Sequence, residues 1–439
     1  NDNSQSGDVY TSATGNDANP GTTGAPFATI QHAIDVAQPG NTIWVDAGTY
    51  PVASSVSINK DIIIRGSNNG INGQSLSRNA ASSLSYPGGY YFVLGSGFEA
   101  EIDGFDHSGV GYIQSTGNDL FVRNSKFNWS SVWGENDIYL SNAFQYFVFE
   151  NNSVNLTGDV GAALQPAGNY SGSGTASKVL IKGNYFENTG FPTYATPINL
   201  SSCQGEVSNN IIKAVENGVL VANNSGNLLI TGNEFKDIAD GFETDFLSGI
   251  KLYQSPLSGP VTITNNIFNN CDYGVNTSGS PDYSAQTVDI HYNSFTNTGF
   301  YALRNFATGT FNATCNWFGT SVLSTVTAKI LQNLPNGVVV YTPYLINGTD
   351  ADIVTSGFQT NEVCTTCAST IVSFAGLSGP YCTSATAVTL TGNHAPSGTF
   401  SGDGITDNED GTASFSPSGA GAGTHTNIKY EFTDVNGCT

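Results

Sequence analysis

Eight times between residues 120 and 320, the chain runs an apolar stretch into an asparagine and then, in most copies, an aromatic. The asparagines are Asn124, Asn152, Asn184, Asn210, Asn233, Asn266, Asn293 and Asn316, spaced 28, 32, 26, 23, 33, 27 and 23 residues apart. Val-Leu-Ile-Lys-Gly-Asn184-Tyr-Phe186 and Val-Thr-Ile-Thr-Asn-Asn266-Ile-Phe268 are typical copies. A motif at that interval marks a solenoid, in which each copy is one coil and none can bury its apolar face alone. The runs before the asparagine are too short for helices and rich in strand formers. An antiparallel sandwich of short strands would instead show turn signals every 8–12 residues or so. The expected fold is all-β: a parallel β-helix whose equivalent residues stack roughly 4.8 Å apart. Stacking also explains the asparagine, which tolerates φ > 0 at a tight corner and can bond the amide one coil away. All eight are expected in one ladder, with the aromatic two residues later pointing inward onto its neighbours.

The solenoid should begin before the first asparagine. Thr42–Tyr50, Val56–Arg65 and Tyr91–Leu94 read as further strands. Ahead of them, Phe27, Ile30, Ala33, Ile34 and Ala37 fall on one helical stripe that Pro39-Gly40 ends. A single amphipathic helix there reads as the cover for the solenoid's open N-terminal end. The stretch from Asp8-Val-Tyr10 through Asn16-Asp17-Ala-Asn19-Pro20-Gly21 to Ala47-Gly48-Thr49-Tyr50 resembles the opening of secreted right-handed parallel β-helix proteins of the pectate-lyase-like superfamily. Ala313-Thr-Cys315-Asn-Trp317-Phe-Gly319 with Tyr341-Thr-Pro343 is similar to the last coil of β-helix domains in Bacteroidota surface proteins. The resemblance spans residues 8–350 and implies a right-handed coil. It implies no single function, because that superfamily holds lyases, hydrolases, esterases and adhesins.

After residue 350 the pattern changes. Residues 351–369 read as a linker, and from 370 to 439 short alternating strands recur between Gly, Asn and Asp turns, as in a small β-sandwich. Gly379-Pro-Tyr-Cys382, Gly398-Thr-Phe400, Asp410-Gly-Thr-Ala-Ser-Phe415 and Asn436-Gly-Cys438 resemble the immunoglobulin-like repeats of Bacteroidota cell-surface and gliding adhesins. That resemblance implies a repeated module, a longer parent protein and export by type IX secretion. Cys382 and Cys438 flank the strands and are expected to clip the two ends together. Cys364 and Cys367 form a lone CxxC, read as a local disulfide. Cys203, Cys271 and Cys315 are expected to pack in the solenoid as free thiols.

Composition narrows the function classes. With 35 acids against 13 bases the net charge is −22, which leaves no basic groove for nucleic acid. No apolar run approaches the ~20 residues that span a bilayer. Starting at Asn1 and lacking methionine, the chain reads as a mature secreted or cell-surface polypeptide, or a segment of one.

No catalytic residue is assigned. Only four arginines exist (Arg65, Arg78, Arg123, Arg304), and none sits in a recognisable catalytic motif. The densest acidic group is Glu234, Asp237, Asp240, Glu243 and Asp245 followed by Lys251; Asp237, Asp240, Glu243 and Asp245 are candidates for a Ca²⁺ or sugar site. The competing reading is a solvated acidic loop. Glu101, Asp103 and Asp106 beside His107 form a second group. Trp129, Trp133, Tyr139 and Tyr146 are candidates for a sugar-stacking platform, against plain core packing. The leading expectation is a non-catalytic surface module: a β-helix rod with a polysaccharide-binding or cell-surface-binding face and an immunoglobulin-like spacer. Its alternatives are a secreted polysaccharide lyase or hydrolase, and a subunit of an extracellular filament.

Overall fold

The computed structural model describes residues 7–432 except 86–89, 110, 131–135, 142–143, 158–159, 169–176, 191–194, 223–224, 241–246, 254–255, 280, 363 and 365–371. The chain divides into two compact units, Asn1–Glu362 and Val363–Thr439.

The first unit is a parallel β-helix of three long sheets with 13, 11 and 8 strands. One coil shows the circuit. Lys178–Lys182 lies in the 13-stranded sheet, Tyr185–Asn188 in the 8-stranded sheet and Ala195–Ser201 in the 11-stranded sheet. Gln204–Ser208 then returns to the first sheet, in parallel register one coil on. The apolar runs form an inward, mostly aliphatic column: Ile43, Ile64, Ile102, Val122, Phe149, Ile181, Val207, Ile230, Ile263 and Ile290 are register partners in succession. All ten are fully buried. At the N-terminal end a short helix, Ile30–Val36, buries Ile30, Ala33 and Ile34. The Thr29 side chain accepts from the His32 N–H and caps the helix, while Asp17 accepts from Ala28 and Thr29.

Seven asparagines run down the corner between the 13- and 8-stranded sheets. The backbone N–H of each donates to the side-chain oxygen of the next: Asn152 to Asn184 (2.8 Å), then on through Asn210, Asn233, Asn266, Asn293 and Asn316 at 2.9–3.0 Å. Each Nδ2 from Asn152 to Asn293 also donates to that same oxygen, and to a strand carbonyl of the preceding coil. Two details correct the sequence reading. The left-handed residue is not the ladder asparagine but the one before it: Asn151, Gly183, Asn209, Gly232, Asn265, Tyr292 and Cys315 have φ between 55 and 65°. Asn124 itself occupies that preceding position (φ 51°), so Ser125 takes the ladder's first rung and donates to Asn152.

Two residues beyond the asparagines, Phe235, Phe268, Phe295 and Phe318 stack nearly parallel, with centroids 4.8, 4.7 and 5.6 Å apart. Their rings press on the 11-stranded sheet where only glycine fits: a Cβ on Gly249 would lie 2.6 Å from Phe268, and one on Gly274 2.5 Å from Phe295.

Residues 346–362 lie along the outside of this corner. Phe358 is buried and exchanges two hydrogen bonds with Asn265, and Glu362 accepts from the Ile346 and Asn347 N–H groups. So 351–362, read from sequence as linker, pack against the solenoid. Cys203 and Cys271 are buried free thiols, and burial pushes Cys203 up to about 12. Cys315 is disulfide-bonded instead, because its left-handed corner position sits on the outside of the coil and not in the core.

The second unit packs a four-stranded antiparallel sheet, ordered Phe374–Ala375, Val388–Gly392, Thr412–Phe415, Ile405–Asp407, with a two-stranded sheet, Thr399–Ser401 and Lys429–Glu431. Leu390, Phe400, Ala413, Phe415 and Tyr430 form its core. Cys364 is disulfide-bonded. Cys382 is an exposed free thiol in a turn, so the expected clip to Cys438 is not formed. Cys367 and Cys438 lie outside the described residues.

Candidate functional site

Of the four acidic candidates, Asp237 and Asp240 lie among the described residues. Asp237 belongs to a second column of left-handed corner residues, Ala214, Asp237, Asn270 and Asn297, at the end of the 8-stranded sheet. Its carboxylate accepts from Asn270 Nδ2 at 2.9 Å, a turn role that explains an Asp there. The Asp240 N–H donates to Asp272 at 3.1 Å. Glu243 and Asp245 lie outside the described residues. Among the described residues no three acidic, His or Cys side chains gather as a metal needs.

The second acidic group is charge-paired on the outside of the 13-stranded sheet. Glu101 sits between Arg65 (3.2 Å) and Arg123 (3.0 Å), Asp103 bonds Arg65, and Arg123 reaches Glu150. Asp106 is bound by Arg78, and His107 points inward. The four aromatics do not form one platform. Trp129 is in the core, Tyr139 faces outward from the 11-stranded sheet, and Tyr146 faces outward from the 13-stranded sheet. Trp133 lies outside the described residues.

A different row carries the polarity that a site needs. In Ser248–Tyr253, Ile250 and Leu252 face the core, so Lys251 points out of the 11-stranded sheet. Its register partners on the next two coils are Asn276 and Arg304. Three coils therefore place two cations either side of an amide, at roughly 4.8 Å per strand. Although it faces away from the core, Lys251 is 2% exposed and Asn276 fully buried. Arg304 is locked: its Nη1 donates to Asn276 Oδ1 at 3.0 Å and to the Thr277 carbonyl at 3.3 Å, with Phe306 and Tyr273 rings 4.3 and 5.7 Å from the guanidinium. Tyr253 lies 5.8 Å from the Lys251 ammonium. Asn276 Nδ2 is held by Ser248 at 3.1 Å. Farther along this face, the side-chain oxygens of Asn199 and Asn217 are buried without a hydrogen-bond partner.

A fixed, partly exposed guanidinium on this face suits a carboxylate or another oxyanion. Sequence reasoning noticed Lys251 only as the residue after an acidic run and set Arg304 aside for lack of a motif. The signal was present in Gly-Ile-Lys251-Leu, Gly-Val-Asn276-Thr and Ala-Leu-Arg304-Asn, a polar residue between inward positions at one coil spacing.

Known proteins resemble the chain in segments. The family described as "Right handed beta helix region" matches residues 173–318, and one described as "Protein of unknown function (DUF1565)" matches residues 13–88. Pectate lyase PEL9 of Emericella nidulans is 43% identical over 53 residues, which is 12% of this chain and 13% of that protein's length. Among solved structures, a rhamnogalacturonan lyase is 12% identical with a TM-score of 0.36, covering 76% of this chain and 87% of its own. Pectate lyase Pel9A is 13% identical with a TM-score of 0.32, covering 81% and 82%. The solenoid is a right-handed parallel β-helix.

Proposed function

We propose that the chain is a secreted, non-catalytic polysaccharide-binding module of the pectate-lyase-like superfamily, and that it holds acidic sugar on the outward face of its 11-stranded sheet. The observation that carries this reading is Arg304, fixed and partly exposed at the end of the Lys251–Asn276–Arg304 row. In a chain of net charge −22 with 13 bases, two cations are held on one outward face, one buried and one braced by aromatic rings. Long-range repulsion opposes an anionic polymer, so affinity must come from short-range, directional contacts, which fixed groups supply at small entropic cost. The second unit serves as an immunoglobulin-like spacer, the whole being one piece of a larger cell-surface protein of the Bacteroidota adhesin type.

A second reading, a polysaccharide lyase, is favoured by the 53-residue match to a pectate lyase. One experiment separates the two. The purified chain is incubated with oligogalacturonates, alginate and neutral glucans, with Ca²⁺ or EDTA. Retention on the acidic glycans is measured alongside absorbance of unsaturated products. Retention without product supports the binding module; unsaturated product formed by the native chain establishes the lyase. Neither retention nor product on any acidic glycan removes both.

A further inference from the structure

The aromatic column has one polar rung at its N-terminal end. His107 pairs in register with Phe127, which pairs with Val154 and then Phe186, so His107 points into the core where the next coil places a phenyl ring. Tyr91 meets it edge-on at 4.3 Å, and Tyr112 lies 4.7 Å away. Phe127 packs 4.8 Å from Tyr112 and 4.7 Å from Trp129. His107 is 2% exposed, and Tyr112 and Trp129 are fully buried. Both His107 ring nitrogens, the Tyr112 hydroxyl and the Trp129 indole N–H lack a hydrogen-bond partner in the protein. Buried polar atoms are rarely left so, and four within one aromatic cluster call for a guest.

We propose that this cluster encloses a hydration site inside the solenoid: ordered water bridges the Tyr112 hydroxyl and the His107 ring, with Trp129 a further donor beyond Phe127. The groups suit water and not an ion. A neutral imidazole offers one donor and one acceptor, the phenol offers both, and the indole offers a donor. Water of this kind takes two to four partners, by the usual pattern of internal sites. Burial pushes the His107 pKa down to about 3, so the ring is neutral at physiological pH. The neighbouring carboxylate, Asp106, is held by Arg78. No unpaired charge therefore faces the guest.

The test is a high-resolution crystal structure of the full chain at pH 8, with melting temperatures for Tyr112→Phe and His107→Phe. Ordered density within about 3.2 Å of the Tyr112 oxygen, lost in Y112F together with a lower melting temperature, is the expected result. H107F reproduces the phenyl ring of the next rung and should behave the same way. An empty cluster, with Y112F melting at or above the native temperature, overturns the proposal, because removing a truly orphaned hydroxyl from apolar surroundings stabilises. If H107F does not fold, Y112F, which deletes a single oxygen, decides alone. If density and melting disagree, the density decides.

Discussion

Two ladders run along the same solenoid and are built from opposite chemistry. At the corner, seven buried asparagines link coil to coil through neutral amides. On the outside of the 13-stranded sheet, Arg65, Asp103, Arg123, Glu150 and Lys182 are register partners in turn, alternating in sign. Their side chains, where paired, are mostly about a quarter exposed, with Asp103 at 4%. The amide ladder sits where backbone groups leave the sheets and have no other partner, so losing one rung orphans groups on two coils. The ionic ladder sits over strands whose backbone is already paired, and water competes for every contact. Position, more than the strength of a single bond, decides which ladder holds the coil together.

Four substitutions sharpen that contrast. Phe268→Ala empties the centre of the stack beside the corner and should cost about 3–5 kcal/mol in urea unfolding of the first unit. Asn210→Ala leaves the Asn184 N–H and amide without their acceptor and should cost about 3 kcal/mol, unchanged between low and high salt. Glu101→Gln loses two arginine partners and should cost about 1 kcal/mol or less, a difference that vanishes near 1 M salt. If Glu101→Gln matched Asn210→Ala, the distinction between the ladders would be wrong. Asn124→Gly should be the mildest, within about 0.5 kcal/mol, since glycine takes the left-handed conformation freely and only the bond to Asp103 is lost.

Acid acts on a third element. His107 is neutral in the fold, with its pKa pushed to about 3 by burial, against about 6.5 in an unfolded chain. Its contribution is complete above pH 6.5 and falls as pH drops towards 3, at roughly 1 kcal/mol per pH unit. His107→Phe should flatten that part of the stability curve, measured by urea unfolding between pH 4 and 8.

The coil was legible because the asparagine repeats at the one position where every coil needs an amide, and because Phe268 and its equivalents follow at a fixed offset. Which residue takes φ > 0 was not legible. Asn151 and Asn152 are the same letter, and only the backbone assigns one to the turn and the other to the ladder. Asn124 was misplaced for the same reason. Glu101 and Asp103 looked like a cluster because their partners Arg65 and Arg123 lie a coil away, 20 or more residues distant in sequence. The row of Lys251, Asn276 and Arg304 was missed because it exists only across three coils whose spacing varies. Cys315 was read as a core thiol because its corner position could not be told from the strand before it.

The most direct test of the functional account is calorimetric titration of a short oligogalacturonate into the native chain, Arg304→Ala and Lys236→Ala. The last removes equal charge from the outside of the 8-stranded sheet. Binding by the native chain, weakened at least about tenfold by Arg304→Ala and under twofold by Lys236→Ala, is the predicted result, a loss of about 1.4 kcal/mol at the first site. Equal weakening by both variants, or no binding by the native chain, contradicts it.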